Sequence, residues 1–192
     1  MKKIAIVFTS MIMAVILLSA CTVSTAPAVE ATPEPAATAE AAAEPAATAN
    51  ESTGLSFSVD TLTGDTIDET VITGHKLTMV NYWATWCGPC VGEIPDLQKI
   101  SEDFADKDFA LVGVLTGDDD IDGAKQFIAD QKLTYPIVLP EAFFSDHAGD
   151  IYAIPTTMFF DSEGNQVGNT VVGAKSYEDW SGLIELLLGQ VS

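Results

Sequence analysis

The sequence predicts an α/β domain built on a mixed sheet, and three observations carry that prediction. Leu77–Trp83 is rich in apolar residues and β-formers, and Phe109–Leu115 is a continuous apolar run, the mark of a strand covered on both faces. Each is followed by residues at helical spacing: Ile94, Leu97, Ile100 and Phe104 after the first, Ala124, Phe127 and Ile128 after the second. Near the end, the turn Ser162-Glu163-Gly164-Asn165 separates two strand-like stretches, 156–161 and 166–172. The order is βαβαβ, then a hairpin and a helix, which implies helices packed on a mixed sheet.

Before that domain the chain has two other segments. Residues 1–20 have the form of an export signal, with Lys2 and Lys3 ahead of an apolar stretch from Ile4 to Leu18. Leu18-Ser19-Ala20-Cys21 resembles the lipobox of bacterial lipoproteins, which implies a lipidated Cys21 as the new N-terminus. An ordinary secretory signal with a coincidental cysteine is the alternative. The apolar stretch is shorter than the roughly 20 residues that span a bilayer. Residues 21–54 then form a linker rich in Ala, Thr, Pro and Glu, with no aromatic residue and a near repeat, Glu34-Pro35-Ala36-Ala37-Thr38-Ala39 and Glu44-Pro45-Ala46-Ala47-Thr48-Ala49. Such a segment buries too little surface to offset chain entropy and is expected to be disordered. At about 3 Å per residue its reach is on the order of 100 Å.

The domain runs from 55 to 192, enough for a real core. The alternating stretch 55–62 predicts a strand, Gly64-Asp65 a turn, and Thr66-Ile67 a return. After Leu77–Trp83 a helix is expected from the cysteine pair to about Ala105, kinked by Pro95. A helix over 122–131, a strand over 135–139 and a short helix or loop over 142–149 follow. Ser176 is placed to cap a last helix whose Tyr177, Trp180, Ile184 and Leu187 make an apolar stripe.

The chain has 8 Lys, no Arg and 28 Asp plus Glu. Without residues 1–20 that is 6 Lys against 28 acids, a net of −22. Phosphate recognition needs a basic surface, so nucleic acid is excluded as a partner. Anionic head groups are excluded on the same ground, which leaves lipid at Cys21 as the expected anchor.

Chemistry concentrates in Trp83-Ala84-Thr85-Trp86-Cys87-Gly88-Pro89-Cys90. Beyond Cys21 the chain has no other thiol, so Cys87 and Cys90 can pair only with each other. A zinc site would need two more ligands, and the only histidines, His75 and His147, are isolated. No metal or other cofactor is expected. The pair falls where a strand ends and a helix starts, and helix N-termini favour thiolate over thiol. Pro89 suits the first helical turn, where its missing N–H costs nothing. Cys87 is expected at the exposed tip as nucleophile, with Cys90 one turn further in to resolve the mixed disulfide. Trp86 would shield the sulfur and flatten the surface where a partner docks.

The stretch Asn81-Tyr82-Trp83-Ala84-Thr85-Trp86-Cys87-Gly88-Pro89-Cys90-Val91-Gly92-Glu93-Ile94-Pro95 resembles the active site of the thioredoxin superfamily. The Glu93-x-Pro95 extension and the leading strand near Leu55 resemble its TlpA/ResA branch of membrane-tethered extracytoplasmic thiol-disulfide oxidoreductases. Ile154-Pro155-Thr156, with the hairpin after it, matches the family's cis-proline loop. The resemblance covers 55 to about 190. It implies a thioredoxin fold with an N-terminal β extension and a βα insertion over 118–135, because Pro155 lies 65 residues beyond Cys90, further than in thioredoxin itself. It implies a cis Pro155 beside the cysteine pair and an Ile154 whose backbone receives a partner peptide. It implies that Glu93 takes the proton of Cys90, the more so because thioredoxin's buried acid is replaced by Asn81 here. It further implies a monomer that reduces disulfides of exported proteins, such as apocytochromes c or methionine sulfoxide reductases, with electrons from a CcdA-like membrane donor. The Gly88-Pro89 pair is closer to reducing thioredoxins than to strong oxidants.

Other features carry less. Asp118-x-Asp120-x-Asp122-Gly123 copies the opening of an EF-hand loop, but position twelve is Ala129 instead of the bidentate Glu, so a solvated acidic loop is expected. His147 is expected to be an ordinary loop histidine and Trp180 a core residue. Two competing functions stay open: a thioredoxin-fold peroxide reductase, although the Pro and Thr-x-x-Cys arrangement of peroxiredoxins is missing around Cys87, and a non-catalytic cell-surface binding module.

Overall fold

The computed structural model describes residues 54–149 and 151–191. The expected signal, the expected lipidation site Cys21 and all of the expected linker but Gly54 lie outside the described residues. In chain order the elements are β1 (Ser58–Asp60), β2 (Thr66–Asp68), α1 (Thr70–Thr73), β3 (Leu77–Trp83), α2 (Gly88–Asp103), β4 (Phe109–Leu115), α3 (Ile121–Gln131), β5 (Ile137–Val138), α4 (Phe143–Ala148), β6 (Thr156–Phe160), β7 (Val171–Val172) and α5 (Tyr177–Leu188). No helix among them is long and apolar enough to cross a membrane.

Five strands form the main sheet in the order β5-β4-β3-β6-β7. β3 pairs in parallel with β4 and antiparallel with β6, so it sits at the centre with all seven residues buried. Alternation splits its side chains between two cores. Leu77, Met79 and Trp83 pack under α2, α3 and α5 with Leu97, Ile128, Trp180 and Ile184. Val80 and Tyr82 point the other way, to Phe57, Ile72, Phe143 and Phe144 from the β1–β2 hairpin, α1 and α4. Trp180 is fully buried, and its truncation to Ala would cost about 3–5 kcal/mol.

Gly113 shows how tightly β4 is covered. A methyl group there would meet the Trp83 indole nitrogen at 3.1 Å, Ile137 at 3.2 Å and the Tyr135 ring at 3.2 Å. Only a residue without a side chain lets the Trp83 ring lie across the strand.

Helix α2 runs without a break through Pro95, which lacks the N–H that would reach Val91. It is fastened to α5 by three contacts. The Asp96 carboxylate accepts from the Tyr177 amide at 3.2 Å, the Tyr177 hydroxyl donates to Asp103 at 2.7 Å, and the Lys99 ammonium lies 3.7 Å above the Tyr177 ring. The Ser176 hydroxyl caps α5 by accepting from the Asp179 amide.

Two local expectations are corrected, and one element was not anticipated. The strand over 135–139 shrinks to Ile137–Val138, because Pro136 offers no donor and Tyr135 turns its ring into the core. The hairpin return over 166–172 is interrupted. Gln166 bridges Phe160 and Val171 pairs with Thr157, with four residues between them on one side and two on the other. Gly168, at φ +71°, absorbs the excess. The one-turn helix α1 was not expected, since Thr70-Val71-Ile72-Thr73 is rich in β-branched residues and buries only Ile72.

The stretch expected as an insertion is occupied by α3 and, just beyond it, β5 at the sheet edge. The N-terminal hairpin is tied to that edge. Thr61 bridges Val138, and the Leu62 amide donates to the Ile137 carbonyl at 2.7 Å.

Candidate active site

The end of β3 delivers Cys87 to the start of α2 because Ala84 to Trp86 turn sharply there. The Cys87 amide closes that turn on the Ala84 carbonyl at 3.2 Å. Cys87 is then the N-cap residue, and its Sγ accepts from the Cys90 amide at 3.3 Å. Sulfur thus occupies the place where a helix gathers unpaired N–H groups and its positive dipole end, which favours a thiolate on reduction. Cys87 and Cys90 are joined as a disulfide.

Exposure differs from expectation. Cys87 is only 5% exposed, and the tip belongs to Trp86 (66%), Gly88 and Pro89. The reason lies across from the sulfur, where the Ile154 carbonyl oxygen stands 3.7 Å from Cys87 Sγ. The peptide after it, Ile154–Pro155, is cis. Two bonds hold this loop: the Gly173 amide donates to the Pro155 carbonyl at 2.8 Å, and the Thr156 hydroxyl to the Ala153 carbonyl at 2.7 Å. Cys90 is fully buried.

Behind Cys90, one helical turn on, Glu93 is 3% exposed. Its Oε1 accepts from Asn81 Nδ2 at 3.0 Å, and its Oε2 accepts from the Lys175 amide at 3.1 Å. The second proton of the Asn81 amide goes to the Thr157 hydroxyl at 3.0 Å. Burial pushes the Glu93 carboxyl above the usual range, and the Lys175 and Asn81 donors only partly offset it. The Trp180 indole also favours the ionised form, yet its N–H makes no full hydrogen bond. Its pull on Glu93 is the weakest of the three. A buried acid whose carboxyl is pushed above its usual range, one turn from a cysteine, is suited to exchange protons with it.

On the Cys87 side the loop after β4 takes part, which the sequence did not reveal. The Trp86 indole N–H donates to the Gly117 carbonyl at 2.7 Å. Asp118 Oδ2 accepts from both the Thr85 amide, at 2.9 Å, and the Thr85 hydroxyl, at 2.6 Å. Partial burial pushes the Asp118 carboxyl up, but these donors outweigh it and hold the group below its ordinary value. The supposed EF-hand opening is therefore a bracket for the active-site turn. Asp120 caps α3 by accepting from Gly123, and no cluster of metal-ligating side chains occurs among the described residues. His147 packs between Phe143 and Phe160, with ring centres 4.9 and 4.8 Å away.

A groove of about 470 Å³ opens beside Cys87, between Trp86 and Gly117 on one wall and Ile151, Tyr152 and Ile154 on the other. Tyr152 is 87% exposed. Of the residues singled out in the sequence, Trp86, Cys87, Cys90, Ile154 and Pro155 come together around the disulfide, and Glu93 lies behind it. Thr85, Gly117, Asp118, Tyr152, Thr157 and Lys175 were missed. Lys175 contributes a backbone amide, which no sequence pattern announces. Tyr152, an aromatic residue two positions before Ile154-Pro155, was the one visible signal.

Comparison with known proteins agrees with this geometry. The Redoxin family model matches residues 35–181. The thioredoxin-like protein YneN of Bacillus subtilis is 32% identical over 111 residues, 56% of this chain and 63% of that protein. The thiol-disulfide oxidoreductase ResA of Oceanobacillus iheyensis is 31% identical over 116 residues, 57% of this chain and 56% of that protein. The chain thus spans about three fifths of the length of these relatives. A thiol:disulfide interchange protein of the thioredoxin family from Chlorobium tepidum superposes with a TM-score of 0.61 at 30% identity, over 69% of this chain and 93% of that one. With the five-stranded sheet, the cysteine pair and the proline loop in place, the chain belongs to the Redoxin family, as a TlpA/ResA-like member of the thioredoxin superfamily.

Proposed function

We propose that the protein is a thiol-disulfide oxidoreductase whose working pair is Cys87 and Cys90. The observation that carries this is the setting of Cys87: an N-cap sulfur that accepts the Cys90 amide and faces the Ile154 carbonyl. In the reduced state the Cys87 thiolate attacks a partner disulfide. One partner sulfur leaves as thiolate and takes a proton, and a mixed disulfide forms. Cys90 then loses its proton to Glu93 and attacks Cys87 Sγ, releasing the second partner sulfur as a thiol. The partner gains two electrons and two protons, and the pair is left oxidised. Resetting it requires a dithiol donor.

The finer reading is a reductase tethered outside the cytoplasm by lipid on Cys21. Its substrates are disulfides of exported proteins, of the apocytochrome c or methionine sulfoxide reductase kind, and its donor is CcdA-like. Ile154 receives the substrate chain by backbone pairing, Pro155 packs beside the cysteine pair to shape that docking surface, and Trp86 covers the chain. The reduction potential of the pair, measured against glutathione or dithiothreitol buffers in the chain carrying Cys21→Ser, tests this. A value near or below about −250 mV supports a reductant, and one near about −120 mV makes it an oxidant instead. No two-electron transition at all overturns the dithiol reading in favour of a binding module.

A further inference from the structure

The groove beside Cys87 is apolar, yet its Gly117 wall continues into a strongly acidic loop. None of its lining residues is charged. Immediately beyond Gly117 on its wall come Asp118, Asp119, Asp120 and Asp122, four acids within five positions, with Asp119, Asp120 and Asp122 exposed. Residues 54–191 carry 6 Lys against 23 acids, a net of −17, and the cations stand elsewhere. Lys76 and Lys107 precede β3 and β4, and Lys132 follows α3, all at the end of the sheet away from the disulfide. Lys99 and Lys107 lie over aromatic rings, and Lys175 points toward Trp180. Lys125, one turn further along α3, is the nearest in sequence to the acidic run. His147 is held between two rings.

We infer that this groove selects partner segments in which an apolar or aromatic side chain near the disulfide is flanked by Lys or Arg. The inference rests on the thiol-disulfide reading above and adds the chemistry of the substrate to it. Trp86 and Tyr152 offer two exposed rings, and Trp86 is held in place through Gly117, so the wall is formed before a partner arrives. Burial of an apolar side chain between them supplies affinity. The acidic rim supplies attraction at a distance and penalises an acidic partner, which sets preference and association rate more than final affinity. An anionic membrane surface and a second copy of this chain are both repelled by the same charge.

The test uses the full chain, reduced, and two disulfide peptides identical except that two Lys beside a Leu–Cys step in one become two Glu in the other. Neutral hydroxyethyl disulfide, too small to need the rim, gives the reference rate for each protein. The Lys peptide is expected to react roughly tenfold faster at low ionic strength, with the advantage shrinking severalfold in concentrated salt as the Debye length contracts. In the double variant Asp119→Asn, Asp122→Asn the Lys-to-Glu ratio should fall severalfold after division by the reference rate. Tyr152→Ala should slow both peptides alike. Equal rates for the two peptides overturn the inference while leaving the oxidoreductase reading intact. So does a ratio that the double variant leaves unchanged, since preference would then come from the overall charge. Failure to react with hydroxyethyl disulfide overturns both.

Discussion

Cys87 and Cys90 are three residues apart, yet the ground around each is built from opposite materials. The Cys87 sulfur looks out past Trp86 and the Ile154 carbonyl to an apolar groove open to solvent. Behind Cys90 is a closed polar pocket in which Asn81 ties Glu93 to Thr157 and the loop ahead of α5 contributes the Lys175 amide. The first region is made of surfaces and carbonyls, which receive a chain. The second is made of a carboxyl group and its donors, which hold a proton. The difference supports the proposed division of labour, with partner recognition at one sulfur and proton balance at the other.

The sharpest way to break this division is to remove the sulfurs singly. Cys87→Ser should abolish exchange with any disulfide. Cys90→Ser should still attack but should accumulate the mixed disulfide, visible by mass spectrometry. If both variants behave alike, the two sulfurs are not distinct.

Next comes the proton side. Glu93→Gln should slow release of the mixed disulfide by roughly 10²-fold while leaving the first attack on a small disulfide nearly unchanged. It should also change the pH dependence of stability. The Glu93 carboxyl titrates higher in the fold than in the open chain. Between those two values the native state holds the extra proton, and stability falls as pH rises. Urea unfolding should therefore show Glu93→Gln gaining on the natural protein as pH climbs above about 4.5, the unfolded value. A difference that stays flat with pH would mean that Glu93 is not perturbed.

Asn81→Ala removes one of Glu93's two donors and strands Thr157. A loss of about 1–3 kcal/mol is expected, together with a displacement of the pH profile of exchange to higher pH. An unshifted profile would detach Asn81 from the proton.

On the recognition side, Asp118→Ala should cost about 1 kcal/mol, since its bonds to Thr85 are only partly buried. Its effect should fall on KM for a protein disulfide and spare kcat. The Asp118 carboxyl titrates below its ordinary value, so its contribution is present above the unfolded pKa and is lost as pH falls through the lower folded one. The smallest expected effect is that of calcium. Millimolar Ca²⁺ should leave the melting temperature unchanged, because Asp118 and Asp120 are already engaged with Thr85 and Gly123.

What could be read from the sequence follows this same division. The central strands were legible to the residue, because Phe109–Leu115 is apolar throughout and Leu77–Trp83 is interrupted only by Thr78 and Asn81. The Cys87–Cys90 turn, Glu93 and the Ile154-Pro155 loop were legible as local strings. The groove was not. Its walls come from three loops, and the bonds that set them join residues 31 and 33 apart in sequence. Asp118 drew attention for the wrong reason, since a run of aspartates looks the same whether it faces solvent or clasps a threonine. Tyr135 and Pro136 showed the reverse error, where apolar character was taken for a longer strand and the ring went into the core instead.

The N-terminal hairpin, attached through Thr61 and Leu62 to the short strand β5, has a consequence for life at high local concentration. It covers one rim of the main sheet, and the opposite rim is the two-residue β7, crimped at Gly168. Neither rim offers a long ladder of free amides on which another chain could polymerise. The loop at residues 152–154 stays at least partly exposed, beside the reactive sulfur. A foreign strand that lays itself on this molecule is thereby guided to the one place where contact is brief, because chemistry there ends in release.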